Sequence, residues 1–310
     1  MRDRLVTAAG AIAACLLIYA LFFNSGQQAP VTRPLSNEPG RNGYAALNDW
    51  LIGEGVPVVS WRERFTTLLD DTTLPETGNV MLMTLPFRLN AREVEQQQLL
   101  GWVGRGNTLL LAAALNDSPE WIDALDGLSF VSDLQTIGGI PFSVASETTE
   151  SGFESQLATA FAPDEIIRFD PLEHPLMDGV AALQGYSDGI SSAWSEDRDA
   201  FSITAPLLRL ATESRYGVNA IFQRPLGAGH IIVVTSASML TNHQIAESDA
   251  GRFVANVVRY HLNDGGAFVF DDMHQGLSSL YDDAAFYSER RLYLTIAFKN
   301  AARFAWLHGA

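Results

Sequence analysis

The chain lacks most of the side chains that carry covalent chemistry. Its single cysteine, Cys15, lies in an apolar stretch near the N-terminus, so the remainder has no disulfide, no thiolate metal site and no cysteine nucleophile. Its single lysine, Lys299, is not part of a Walker-type phosphate loop. Gly-x-Ser-x-Gly occurs once, as Gly185-Tyr186-Ser187-Asp188-Gly189, in the irregular middle region. Positive charge is scarce: 20 Lys and Arg against 36 Asp and Glu leave a formal net charge of −16. With no basic cluster either, this acidity excludes nucleic acid as a partner. No cofactor fingerprint is present: Gly104-x-Gly106 and Gly227-x-Gly229 precede strands, whereas a dinucleotide loop follows one.

Apolar residues are plentiful, at 47% of 310 residues. Leu5 to Phe23 is an uncharged run of nineteen residues without proline. At ~1.5 Å per helical residue it matches the thickness of a bilayer core. Two rival readings exist. A cleaved signal peptide needs a small-x-small site, and Leu21-Phe22-Phe23-Asn24 is a poor one. A lipoprotein signal would use Cys15, but eight apolar residues follow it where a polar tether is usual. An uncleaved transmembrane helix over 5–23 fits best. Arg2 and Arg4 precede the span and the next basic residue is Arg33, which keeps residues 1–4 cytoplasmic. The expectation is a single-pass inner-membrane protein with its domain in the periplasm.

Residues 24–40, rich in Pro, Gly, Asn and Ser, read as a linker. A helix is expected over 41–53 and a strand over 56–61. Strands 79–86 and 108–114 are nearly continuous apolar runs, the pattern of parallel strands covered on both faces, with a helix over 90–104 between them. The middle region offers Phe130-Val131-Ser132 and 166–169 as short strands. Further strands are expected at 206–211, 218–223, 231–235 and 267–271, with a helix over 249–262. The domain spans 41–280, and 281–310 reads as an amphipathic C-terminal helix.

The order of several short motifs resembles a bacterial family catalogued as domain of unknown function 4350. They are Ser36 with Gly43-Tyr44-Ala45-Ala46-Leu47; Trp102-Val103-Gly104-Arg105-Gly106-Asn107; Gly227-Ala228-Gly229-His230 with Leu240-Thr241-Asn242; and Phe270-Asp271-Asp272-Met273-His274-Gln275-Gly276. The resemblance implies an α/β fold: a flavodoxin-like, class I glutamine amidotransferase-like, mostly parallel sheet flanked by helices. It also implies a genomic setting beside a MoxR-type AAA ATPase and other membrane proteins. In the last motif the family tends to carry Asp-Glu-x-His-x-Gly, and here Asp272 is one methylene shorter. An amidotransferase would place its cysteine near 115–118, where this chain has Leu115-Asn116-Asp117-Ser118.

The candidate ligand- or partner-binding residues are Asp271, Asp272, His274, Asn242 and His174. Asp271, Asp272 and His274 follow an expected parallel strand, where ligand crevices of open α/β sheets lie. Two carboxylates and an imidazole so close in sequence suit a divalent cation. The plain alternative is that the acids cap a turn and His274 is exposed. Asn242 follows another strand end and is expected to share the crevice, or simply to bond a turn. His174, before Pro175, is a loop anchor. The function expected is a catalytically inactive binding domain in a membrane complex; the rivals are a metal-assisted hydrolase using Asp271, Asp272 and His274, and a purely structural subunit.

Overall fold

The computed structural model describes residues 32–117, 119–121, 129–139, 165–187, 207–215, 217, 219–263 and 265–278. The apolar segment 5–23, Cys15, Ser118 and the C-terminal stretch 281–310 lie outside them. No helix among the described residues is long and apolar enough to cross a membrane.

Nine strands form one sheet. In chain order they are β1 (Val58–Trp61), β2 (Val80–Leu85), β3 (Thr108–Ala113), β4 (Glu165–Pro171), β5 (Leu183–Ser187), β6 (Leu208–Glu213), β7 (Asn219–Leu226), β8 (Gly229–Val234) and β9 (Phe268–Asp271). Their spatial order is β1-β9-β2-β3-β8-β7-β6-β4-β5. The helices are α1 (Ala45–Gly53), α2 (Glu93–Gly104), α3 (Ser129–Gly138), α4 (Asn242–Glu247) and α5 (Ala250–His261).

The first five strands in space are parallel throughout. Strand alternation divides their side chains between two cores. Leu82, Leu110, Ile232 and Phe270 meet Leu47 and Leu51 of α1 and Phe253 and Val257 of α5. Met81, Met83, Leu109, Leu111 and Val233 meet Leu99, Trp102 and Val103 of α2 and Leu134 and Ile137 of α3. The sheet is thus covered on both faces, which is why its strands read as unbroken apolar runs.

The expectation of a mostly parallel sheet is corrected: the sheet is mixed, because β7, β6, β4 and β5 continue it with antiparallel pairing. The β7–β8 connection is only Gly227-Ala228, with Gly227 at φ +60°, and so short a turn permits only an antiparallel neighbour. Gly227 is required sterically as well, since a Cβ there would lie 2.5 Å from the Gly104 carbonyl oxygen. Phe130-Val131-Ser132 is not a strand but the first half of α3, in which Phe130, Leu134 and Ile137 share one buried face.

Candidate functional site

All five parallel strands deliver their chains to one edge, and the candidate acids lie there. Asp271 ends β9 opposite Trp61 of β1. Its Oδ1 is 2.8 Å from Nδ1 of His274 and also accepts the His274 backbone N–H at 3.3 Å. The imidazole is sandwiched by Phe65 and Phe87, with ring centroids 4.3 and 5.0 Å away. Its Nε2 faces Oε1 of Glu95 on α2 at 3.9 Å, too far for a hydrogen bond but close enough for charge to act. Glu95 in turn accepts Arg64 Nη1 at 3.2 and 2.9 Å and the Arg92 backbone N–H at 2.7 Å, capping the first turn of α2. Asp271, His274, Glu95 and the half-buried Arg64 therefore alternate in sign along a row. Burial is the largest influence on His274 and disfavours its charge. The carboxylate of Asp271, its hydrogen bond and the charge of Glu95 outweigh it, so the pKa moves upward.

Asp272 takes no part in that row. Its Oδ1 accepts the Ser36 backbone N–H at 2.8 Å, and its Oδ2 accepts the Ser36 hydroxyl at 2.5 Å and the hydroxyl of Ser60 on β1. Arg62 Nε donates to that same Ser60 hydroxyl at 3.0 Å. Burial raises the pKa of Asp272, the three hydrogen bonds oppose that rise, and neighbouring Asp271 adds to it. The alternation of β9 carries past its last residue, so the two adjacent carboxylates diverge: one toward α2, the other toward Ser36. Among the described residues no group of three His, Cys, Asp or Glu side chains is placed to hold a metal ion. The plain alternative of an exposed His274 is also corrected. His274 and Asp272 are both fully buried, because Gln275 ties the loop to the exit of β2, donating to the carbonyls of Thr84 at 2.8 Å and Pro86 at 3.3 Å.

A second buried acid, Asp117, follows β3. It accepts the Ser236 and Ser238 hydroxyls at 2.7 and 2.6 Å and the Ala237 and Ser238 backbone N–H groups at 3.0 and 2.8 Å. Burial pushes its pKa up to about 6 against the pull of those bonds. Ser238 Oγ also accepts the Tyr186 backbone N–H at 2.8 Å. The far strand β5 thereby curls back onto the end of β8. Gly185 allows this approach, for a Cβ there would lie 2.1 Å from Ser236 Oγ.

Residues 33–44 run across this edge. Ser36 binds Asp272 at one end. The Asn242 side-chain amide donates to the carbonyls of Glu38 at 2.9 Å and Gly40 at 2.7 Å, and its Oδ1 accepts the Ala46 N–H at 2.8 Å. The backbone N–H groups of Asn242 and His243 donate to the carbonyls of Gly43 and Arg41. At the other end Tyr186 donates its hydroxyl to Asn42 Oδ1, while Arg41 lies over the Tyr186 ring at 4.2 Å. Beneath the strap Tyr44 shares a 2.6 Å hydrogen bond with Thr84, and burial raises its pKa. Asp272 and Asn242 thus meet not across an open crevice but through the chain's own segment. His174 is elsewhere: it caps the turn Pro175–Met177, accepting the Leu176 N–H at 3.1 Å. His261, whose ring packs against His230 at the opposite edge of the sheet, has its pKa lowered to about 4, first by burial and then by the neighbouring His230 and His174.

The sequence reading missed Glu95, Arg64, Asp117, Ser60 and Tyr186. Glu95 had a legible signal, an acid three residues into a helix at the capping-box position, with the helix start placed at Arg92 rather than Asn90. The rest depend on contacts between distant segments.

Fold and site together define a mixed α/β domain, with one large sheet flanked by helices, whose strand-end crevice is closed from within. The chain belongs to the DUF4350 family, described as a domain of unknown function, which matches over residues 36–258. No curated protein matches. Among solved structures the chain is similar to the mmIFT52 N-terminal domain, at 10% identity and a TM-score of 0.43, covering 73% of this chain and 91% of that one. It is also similar to a cytoplasmic protein from Salmonella typhimurium, at 8% identity and a TM-score of 0.34, covering 60% of this chain and 75% of that one. A third is an exo-β-1,4-mannosidase from Opitutaceae bacterium strain TAV5, at 12% identity and a TM-score of 0.29, covering 59% and 25%.

Proposed function

We propose that this protein is a membrane-anchored, catalytically inactive, amidotransferase-like domain that binds a protein partner within a membrane complex. The observation that carries the reading is the closed edge. The strand ends where an α/β enzyme of this type would open a site are covered by residues 33–44, and the position of a nucleophile is taken by the buried, fully hydrogen-bonded Asp117. Opposed to the metal-hydrolase reading is the divergence of Asp271 and Asp272. The anchor is the uncharged stretch 5–23, and its flanking Arg2 and Arg4 argue for a periplasmic domain. Family resemblance makes a MoxR-type ATPase system the first place to look for the partner.

The test is crosslinking in intact membranes followed by recovery of the full chain. The reading expects the protein in the membrane fraction with residues 1–23 retained on mass spectrometry, and a reproducible membrane-protein adduct. A mature N-terminus near residue 30, an acylated Cys15, or recovery of the chain alone would count against it.

A further inference from the structure

Two histidines meet at the amino ends of the parallel strands, away from the closed edge. His230 is the second residue of β8, and His261 is the last residue of α5. Their rings lie against each other, with centroids 4.9 Å apart and planes tilted by 58°. Both side chains are half-buried, and no described residue hydrogen-bonds to either ring. Two imidazoles bound through one nitrogen each to a single ion, at ~2.0–2.1 Å and a tetrahedral angle, have centroids ~5 Å apart. The observed separation matches that arrangement, and both rings stand on rigid supports. The His230 backbone N–H is tied to the Asn107 carbonyl at 3.2 Å, and the twelve-residue α5 is packed by Phe253, Val254 and Val257. The surroundings also favour a cation. His261 ends a helix, where the last carbonyls carry partial negative charge. Arg259, the other basic residue of that last turn, lies over the Tyr260 ring at 5.7 Å. Burial disfavours the charged form of both imidazoles, so each keeps a lone pair at neutral pH. His174 is near, but its Nδ1 accepts the Leu176 N–H, which leaves the proton on Nε2 and takes this ring out of the ligand set.

We propose that His230 and His261 form a two-imidazole site for a divalent ion of the zinc and copper type, with water in the remaining positions. Imidazole suits these ions, whereas calcium and magnesium take oxygen ligands. Only two protein side chains take part, so the site is not a closed metal cage. The ion fastens the end of α5 to the start of β8, and its water-filled positions stay open to a further donor. The site lies at the other end of the strands from the closed edge and does not depend on the binding reading.

Copper paramagnetic resonance and zinc calorimetry on the untagged full chain test it. One ion per chain is expected, with two imidazole nitrogens in the copper spectrum. His230→Gln and His261→Gln are each expected to remove one of those nitrogens and to weaken zinc binding at least about tenfold, whereas His174→Ala leaves the nitrogen count unchanged. A copper spectrum without two imidazole nitrogens, zinc binding that survives both substitutions, or no saturable binding of either ion would overturn the proposal. If a variant does not fold, copper-catalysed oxidation of the unaltered chain, mapped by mass spectrometry, locates the ion instead. Oxidation at His230 and His261 supports the site, and oxidation only elsewhere overturns it.

Discussion

Asp271 and Asp272 are neighbours in the chain and serve opposite faces of the sheet. Asp271 holds His274 against α2, while Asp272 holds Ser36 and Ser60 on the side of α1. One fastens a helix to the end of the sheet and the other fastens the strap. Asp272 finds its partners far away in sequence, whereas Asp271 finds His274 three residues on.

Removing one member of the row should be costly. His274→Ala removes the imidazole that both Asp271 and Glu95 approach, and it empties the space it fills beside Phe65 and Phe87. A loss of about 3 kcal/mol or more is expected, in the range for breaking a buried charge network. Urea denaturation monitored by circular dichroism measures it. A change within about 0.5 kcal/mol would show that the row does not hold the fold.

The row also makes stability depend on pH. The folded-state pKa of His274 is raised, so its contribution is fully present below the unfolded value of 6.5 and is lost as pH rises through the folded value. Stability should therefore fall as pH rises above 6.5, and His274→Gln should flatten that part of the curve. Midpoints of urea denaturation across that range, compared between the two proteins, check the sign.

Asp117 acts in the same direction at lower pH. Its folded pKa is raised from 3.8 to about 6, so the folded state binds the proton more tightly. Stability attributable to this group should fall as pH rises from about 4 to about 6 and be level above. Asp117→Asn should remove that slope while keeping part of the hydrogen bonding to Ser236 and Ser238. Parallel titrations of stability in the two proteins provide the comparison.

Gly185→Ala should disturb the curl of β5 onto β8. The added methyl would lie 2.1 Å from Ser236 Oγ, and that hydroxyl is committed to Asp117. Overpacking of this kind typically costs about 1–3 kcal/mol. Thermal denaturation of the variant would show it, accompanied by faster exchange at the Tyr186 amide.

Much of this architecture is legible in the sequence where segments are long and uniformly apolar. β2, β3, β8 and β9 announce themselves as parallel strands because both their faces are buried. β5 does not, since Leu183-Gln184-Gly185-Tyr186-Ser187 carries the glycine of a turn, and that glycine is needed only because Ser236 comes so close. At Phe130 the start of α3 reads as a strand, because three residues do not reveal a period of 3.6. At the site, Asp271, Asp272 and His274 were found from their position after a strand. Their burial and divergence were not legible, because they depend on Ser36 and Glu95, which are distant in sequence.

The most direct test of the closed-edge account is the stability of Asp272→Ala in the full chain. That substitution leaves the Ser36 amide and the Ser36 and Ser60 hydroxyls without their acceptor, and urea denaturation should show a loss of at least about 2 kcal/mol. Stability within about 0.5 kcal/mol of the unaltered protein would contradict the account and return Asp272 to the role of an exposed, ligand-facing acid.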